Sequence, residues 1–158
     1  MALNCRELTP DDLELMDALL ATFGEAFDDV ATYTERRPTA NYWRQLLGGD
    51  SFIALVALTD GVVIGGIAAY ELKKFEQERS EIYIYDLAVA ATHRRKGVAT
   101  VLIGELKKVA AKRGAYVIFV QADTEVEDEP AIALYTGLGT REDVVHFDIS
   151  VVGDNDAV

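Results

Sequence analysis

The sequence predicts one α/β (α+β) domain in which helices pack on a mixed sheet. Three observations lead there. The chain has 158 residues, enough for one ordinary core and no second one. It is 50% hydrophobic and 27% charged, with 12 Gly and 3 Pro, which is a folding composition. Its periodicity alternates between strand and helix in the order βααβββαβαβ, and so short a chain with that order makes a mixed sheet with helices laid on it.

Each element has its own signal. Asn4–Leu8 reads as a short first strand. In Thr9-Pro10-Asp11-Asp12, Thr9 caps a helix, Pro10 takes its first position and the acids meet the positive end of the dipole. Leu13, Met16, Leu19, Leu20 and Phe23 keep helical spacing to Gly24, and residues 24–38 read as irregular. Thr39 caps a second short helix through Leu47, closed by Gly48-Gly49. Phe52–Leu58 is a buried strand, Thr59-Asp60-Gly61 a hairpin turn, and Val62–Leu72 the returning strand, with Gly65-Gly66 as a bulge or kink. After the polar loop 73–80, Glu81–Val89 is a strand rich in β-branched and aromatic residues. Val98–Arg113 is an amphipathic helix with Val98, Leu102, Leu106 and Val109 inward, ended by Gly114. Tyr116–Gln121 is a strand, Asp123–Glu129 an acidic loop, and Pro130 opens a helix that Gly139 closes. Val144–Ser150 alternates as a last strand. The domain expected is therefore 1–150, with 151–158 a frayed tail.

Charge narrows the function. The net charge is −12, which disfavours a nucleic-acid partner. It is also uneven: residues 93–113 carry seven basic groups against one acid, a local +6 that leaves −18 on the rest. A cationic island in an anionic chain suits an anionic ligand at the island and a cationic one elsewhere, although solubility and helix-end complementarity produce the same pattern. The longest strictly apolar run, Phe52–Leu58, has seven residues, too few to span a bilayer. The first residues hold no basic segment followed by an apolar stretch, so a cytoplasmic location is expected, without membrane partner. Cys5 is the single cysteine and His93 and His146 the two histidines, so no metal site is expected.

The most informative stretch is DLAVAATHRRKGVATVLI, residues 86–103: strand, short loop, basic-glycine segment, helix. Arg94-Arg95-Lys96-Gly97-Val98-Ala99-Thr100 places free backbone N–H groups, a glycine and positive charge at a helix N-terminus, the requirements of a phosphate cradle. It is neither a Walker loop nor a Rossmann GxGxxG, and neither occurs in the chain.

Arg94-x-x-Gly97-x-Ala99 after a strand ending Leu87-Ala88-Val89 resembles the acetyl-CoA motif of the GCN5-related N-acetyltransferases (GNAT), and Ala133-Leu134-Tyr135-x-x-Leu138-Gly139 resembles that family's later helix. Thr140 and Asp128 depart from the aromatic residue and the asparagine that the family often has there. FGEAFDDVATY (23–33), KFEQERSEIYIYDLAV (74–89), GAYVIFVQAD (114–123) and VVHFDI (144–149) are similar, more narrowly, to the small aminoglycoside 3-N-acetyltransferases, the gentamicin acetyltransferase type. The resemblance implies a GNAT fold, with a mixed, mostly antiparallel sheet, splayed strands and flanking helices. It implies acetyl-CoA as cosubstrate, its pyrophosphate on the backbone of Arg94–Thr100 and its pantetheine arm on Leu87, Ala88 and Val89. It implies acetylation of a deoxystreptamine 3-amine, antibiotic resistance, and a homodimer as a family expectation.

The residues themselves bear on that chemistry. An aminoglycoside is a polycation, and this chain supplies carboxylates in excess; Asp123, Glu125, Glu127, Asp128 and Glu129, and also Asp28, Asp29, Glu142, Asp143 and Asp148, are candidates, although any one of them taken alone reads better as solvated surface. Asp86 stands apart, where a hydrophobic strand passes into the segment assigned to pantetheine. A carboxylate there can attract an ammonium, orient it and take its proton, or it can be a structural Asp bonded to loop N–H groups. The resemblance puts it at the acceptor site. Tyr135 takes the position from which related enzymes direct a phenol at the CoA sulfur, with packing as its other reading. Tyr83, on the strand of Asp86, walls the acceptor pocket or packs across strands. Cys5 reads as a small hydrophobe and Trp43 as packing, so transfer is expected to be direct, without an acetyl-enzyme, with a strand N–H near Val89 polarising the thioester oxygen. The other functions open to such a chain are acetylation of a polyamine, another small amine or a protein terminus, and a CoA-binding module without turnover.

Overall fold

A computed structural model describes residues 2–153. The chain divides into two compact units, Met1–Gln121 and Ala122–Val158. The first holds a five-stranded sheet in the order β1-β2-β3-β4-β5, where β1 is Leu3–Glu7, β2 Phe52–Thr59, β3 Val62–Lys73, β4 Ser80–Val89 and β5 Ala115–Val120. The first four strands pair antiparallel and β5 joins β4 in parallel, so the sheet is mixed, as expected. A parallel partner needs a crossover, and α4 (Val98–Arg113) provides it.

Helices cover both faces of this sheet. α1 (Leu13–Ala26) and α3 (Ala40–Gly48) put Met16, Leu19, Phe23, Trp43 and Leu47 against Phe52, Ala54 and Val56 of β2 and Ala88 of β4. α4 lies on the other face. Burial from both sides is why β2 reads as a continuous apolar run rather than an alternating one. The β2–β3 hairpin turns on Asp60 and Gly61, both at positive φ (53° and 78°), as a two-residue primed turn requires. The irregularity expected near Gly65-Gly66 falls just before them, where Ala57 pairs Gly65 but Leu58 pairs Val63.

Several expectations are corrected. α1 starts at Leu13 rather than at Pro10, because the Asp12 carboxylate folds back to accept from the Thr9 N–H and hydroxyl and from Arg6, closing a turn ahead of the helix. Gly24 does not end α1. It lies inside it, where a Cβ would come 3.2 Å from the Val30 Cα, and residues 24–38, expected to be irregular, contain a short helix α2, Val30–Thr34. Glycine is what permits that close approach. On α4 the buried row is Val98, Leu102, Leu106 and Ala110 with Ile103, and Val109 turns to the flank, as i, i+4 spacing dictates.

In the second unit, α5 (Glu129–Leu138) begins with Pro130 in its first turn and ends where Gly139 N–H donates to the Tyr135 carbonyl, 2.8 Å. The strand expected over Val144–Ser150 does not form: the segment has no regular secondary structure and exposes Val144, Val145, Phe147 and Ile149. Alternation qualifies a segment to be a strand, but a ladder partner makes it one. Of the expected tail, Val151 and Val152 are exposed and belong to no helix or strand, and 154–158 lie outside the described residues. Among the described residues, no helix is long and apolar enough to cross a membrane.

Candidate functional site

The site is organised by where β4 leaves its neighbour. The parallel ladder joins Ser80–Ile84 of β4 to β5 and goes no further, while the antiparallel ladder with β3 continues to Val89. From Tyr85 onward, β4 therefore has one edge without a strand partner. Ala90 N–H donates to the Ile64 carbonyl on β3, 2.7 Å, so the alternation of a strand directs the Val89 N–H and carbonyl the opposite way, into the gap. The Val89 carbonyl is met there by Arg94 Nε at 3.1 Å. Leu87, Ala88 and Val89 thus line an opening with backbone hydrogen-bonding capacity.

The basic segment closes one end of it. After the 3-10 turn Ala91–His93, Arg95 (φ 62°) and Gly97 (φ 80°) take left-handed conformations that turn the chain into α4. A Cβ at Gly97 would have nothing within 4 Å, so the space in front of the backbone is open, yet the φ favours glycine. Gly97 is the N-cap and offers no side chain, and the first helical bond is Val101 N–H to the Gly97 carbonyl. The N–H groups of Val98, Ala99 and Thr100 thus have no intrahelical partner. Arg94, Arg95 and Lys96 are exposed beside them. Dipole, donors and charge in one place are the features that an anion site requires.

Asp86 occupies the other side of the opening, and a one-residue irregularity puts it there. Ala69 pairs Ile84, but Ala68 pairs Asp86, so Tyr85 is an extra residue in β4. Without it, alternation would send Asp86 to the α4 face with Ile82 and Ile84. With it, Asp86 joins Tyr83 and Tyr70 on the face of α1 and α2. Its Oδ2 accepts from the Tyr33 hydroxyl of α2 at 2.8 Å. Among the described residues Oδ1 has no hydrogen-bond partner, and no salt bridge reaches Asp86. Burial raises the pKa of this half-buried carboxyl, and the Tyr33 bond holds it down in part.

Aromatic rings extend from this carboxylate. Tyr83 stacks on Phe119 with centroids 4.7 Å apart and donates to Gln121 Oε1 at 2.9 Å, while Tyr85 meets Tyr83 and Tyr70 edge-on at 6.0 and 5.7 Å. Tyr85 is 60% exposed. Tyr33, Tyr85 and Gln121 escaped the sequence reading. Tyr33 lies in a segment without periodicity, and only the length of the similar stretch 23–33 could have drawn attention to it.

Tyr135, Asp123, Glu142 and Asp148 belong to the second unit. Burial and the charge of Asp128 raise the Tyr135 phenol pKa. Asp128 also accepts from the Asp123 N–H at 2.8 Å, which gives one of the five loop carboxylates a local structural use. Asp148 pairs with His146, 2.8 Å, and Glu142 is exposed. Cys5 faces α4, across the sheet from Asp86, and burial pushes its thiol pKa up.

Residues 14–140 match the family model described as the acetyltransferase (GNAT) family. The chain is 66% identical, with a TM-score of 0.94 over 96% of its length and 99% of the other's, to the crystal structure of an aminoglycoside acetyltransferase, HMB0005, from an uncultured soil metagenomic sample. It is 28% identical, with a TM-score of 0.85 over 94% of its length and 96% of the other's, to aminoglycoside acetyltransferase meta-AAC0020, also from soil metagenomic material, in complex with sisomicin. A curated relative, N-acetyltransferase family 8 member 2 of Rattus norvegicus, is 29% identical over 97 residues, 61% of this chain and 41% of that protein's length.

Proposed function

Because the chain belongs to the acetyltransferase (GNAT) family, we propose that it moves an acetyl group from acetyl-CoA to an aminoglycoside, at the 3-amino group of the deoxystreptamine ring, and so confers resistance. The observation that carries the reading is Asp86: a half-buried carboxylate that, among the described residues, has one oxygen without a partner and no cation paired to it, with aromatic rings around it, at the point where β4 and β5 part. Such a group attracts an ammonium, and aromatic faces beside it suit both cations and sugar rings. The 66% identity to a protein described as an aminoglycoside acetyltransferase supports the same acceptor class.

The residues of the opening fit acetyl-CoA. The N–H groups of Val98, Ala99 and Thr100 and the charges of Arg94, Arg95 and Lys96 would hold its phosphates, with Gly97 leaving room, and the free edge at Leu87, Ala88 and Val89 would hold its pantetheine arm. When bound, acetyl-CoA supplies an activated thioester. Asp86 binds and orients the acceptor ammonium and takes a proton from it, directly or through water, so that a neutral amine is presented. The Val89 N–H, pointing into the gap, is the donor for developing oxygen charge. Tyr135 is the proton donor to the departing thiolate, and its raised pKa keeps it protonated for that purpose. Tyr83 walls the acceptor site, and Asp123, Glu142 and Asp148 are the further carboxylates for a polycation. Transfer is direct: the single thiol, Cys5, lies across the sheet and is raised in pKa. Residues 1–150 act as one acetyltransferase domain, working in the cytoplasm as a homodimer.

The test is thiol release from acetyl-CoA with gentamicin-like and kanamycin-like drugs, spermidine and peptides as acceptors. Turnover confined to the drugs, with NMR locating the acetyl group on the 3-amine, is the expected result. Preference for spermidine or a peptide replaces the acceptor, and CoA binding without turnover on any amine removes the enzyme reading.

A further inference from the structure

The Asp86 carboxylate is held by one neutral donor that arrives from far away in the sequence. Tyr33 lies 53 positions from Asp86, on α2, a helix of one and a half turns. Everything around α2 serves to seat it. Gly24 lets its backbone cross α1, with Asp29 N–H donating to the Gly24 carbonyl at 2.9 Å. Asp28 takes a left-handed φ of 52° to turn the chain back, and the Asp29 side chain caps the helix at the Thr32 N–H. The Tyr33 ring packs against Phe23 and Phe27, with centroids 5.9 and 5.8 Å away, and those two rings stack on each other at 5.8 Å. This ring cluster and the hydrogen bond to Asp86 hold the phenol in place.

We propose that Tyr33 is the positioning residue of the acceptor site: it pins Asp86 Oδ2 and so leaves Oδ1 aimed at the incoming amine. The proposal rests on the reading of Asp86 as the acceptor carboxylate. The choice of a phenol has a physical reason. Lys or Arg in its place would neutralise Asp86 and compete with the ammonium, whereas a neutral donor stabilises the carboxylate and leaves its charge available. Among the described residues of the first unit, the titratable groups that feel Asp86 are phenols, Tyr33 from α2, Tyr70 from β3 and Tyr83 from β4, with Tyr85 beside them and Asp29 behind Tyr33. From α1, Phe23 packs on the Tyr33 ring. Burial and the Asp86 bond push the Tyr33 phenol pKa far up, so it remains a donor wherever the enzyme works.

Tyr33→Phe removes the hydroxyl and keeps the ring in its slot. The Asp86 carboxyl carbon is followed by NMR titration in the wild type and the variant, alongside the pH profile of kcat. The expected result is an Asp86 pKa higher in the variant, the acid limb of kcat moved to higher pH in step, kcat at neutral pH reduced about tenfold, and the KM for acetyl-CoA unchanged. A role in packing alone moves none of the titrations. Site-specific 3,5-difluorotyrosine at position 33, a stronger donor, must shift Asp86 the opposite way, and this holds even if Tyr33→Phe fails to fold. An unchanged Asp86 titration in Tyr33→Phe, or in the fluorinated protein, overturns the proposal. Asp86→Asn run in parallel separates the two layers: an inactive Asp86→Asn beside an unaltered Tyr33→Phe removes only Tyr33, while a fully active Asp86→Asn removes the acceptor reading itself.

Discussion

Asp86→Asn isolates charge from shape. Asparagine has the same size, and its carbonyl oxygen still accepts from the Tyr33 hydroxyl that now reaches Oδ2 at 2.8 Å. What disappears is the negative charge proposed to draw the ammonium and the basicity proposed to take its proton. Positioned acid–base assistance is worth ~10²–10⁴-fold in rate, or about 3–5 kcal/mol of barrier at 1.36 kcal/mol per tenfold. The variant is expected to lose activity in that range while binding CoA as before, since Asp86 is not among the groups assigned to the phosphates. Stability moves the other way. Burial holds the folded-state pKa of Asp86 above its ordinary value, so ionised Asp86 costs the native state stability above that pKa, and protonation relieves the cost as pH falls through it. Asparagine never ionises, so the variant should melt at or above the wild-type temperature at neutral pH and lose that advantage in acid. The assay is steady-state thiol release with the acceptor varied, from neutral to alkaline pH, with calorimetry for CoA and a melting curve. If Asp86 acts as the base, alkaline pH restores kcat as free amine accumulates. If it only holds the acceptor, KM rises, kcat stays near wild type, and alkali rescues little. Wild-type kcat and KM at neutral pH would refute the whole argument.

Gly97→Asp should abolish CoA binding in calorimetry, because it strains a backbone at φ 80° and puts a negative charge in front of the α4 N-terminus; Arg94→Ala should weaken binding by ~1–3 kcal/mol, a charged hydrogen bond. Retained CoA affinity in Gly97→Asp would undo the cradle assignment. Tyr135→Phe should lower kcat more than CoA affinity when chemistry limits the rate, and an unaltered kcat there would return Tyr135 to packing. Acceptor KM should rise with salt, more steeply for drugs bearing more amines, because the −18 of the chain outside residues 93–113 acts through screened charge; an equal response for neutral and cationic acceptors would refute acidic capture.

Local chemistry was legible from the residues. Thr39 accepts from the Tyr42 N–H as a cap should, Asp60-Gly61 makes the hairpin turn, and Gly97 and Gly114 bracket α4, all at positive φ or cap positions that few residues satisfy. The strands of the sheet, the crossover helix and the basic-glycine segment follow from such signals and from binary patterning, because those are set by neighbours in the chain. The face on which Asp86 lies was not legible. Strand parity is counted from register, and one inserted residue, Tyr85, reverses it just where the alternation of Glu81–Val89 gives out, so the pattern does not say which face follows. Nor was its partner: Tyr33 reaches Asp86 through the close packing of α2 on α1 at Gly24, a contact 53 positions apart that no window along the chain contains. Val144–Ser150 shows the converse, with the pattern of a strand and no strand formed. Pattern records which side of a segment prefers water. Pairing, register and the end of a ladder such as the one at Ile84 are decided between segments, so they belong to the tertiary structure alone.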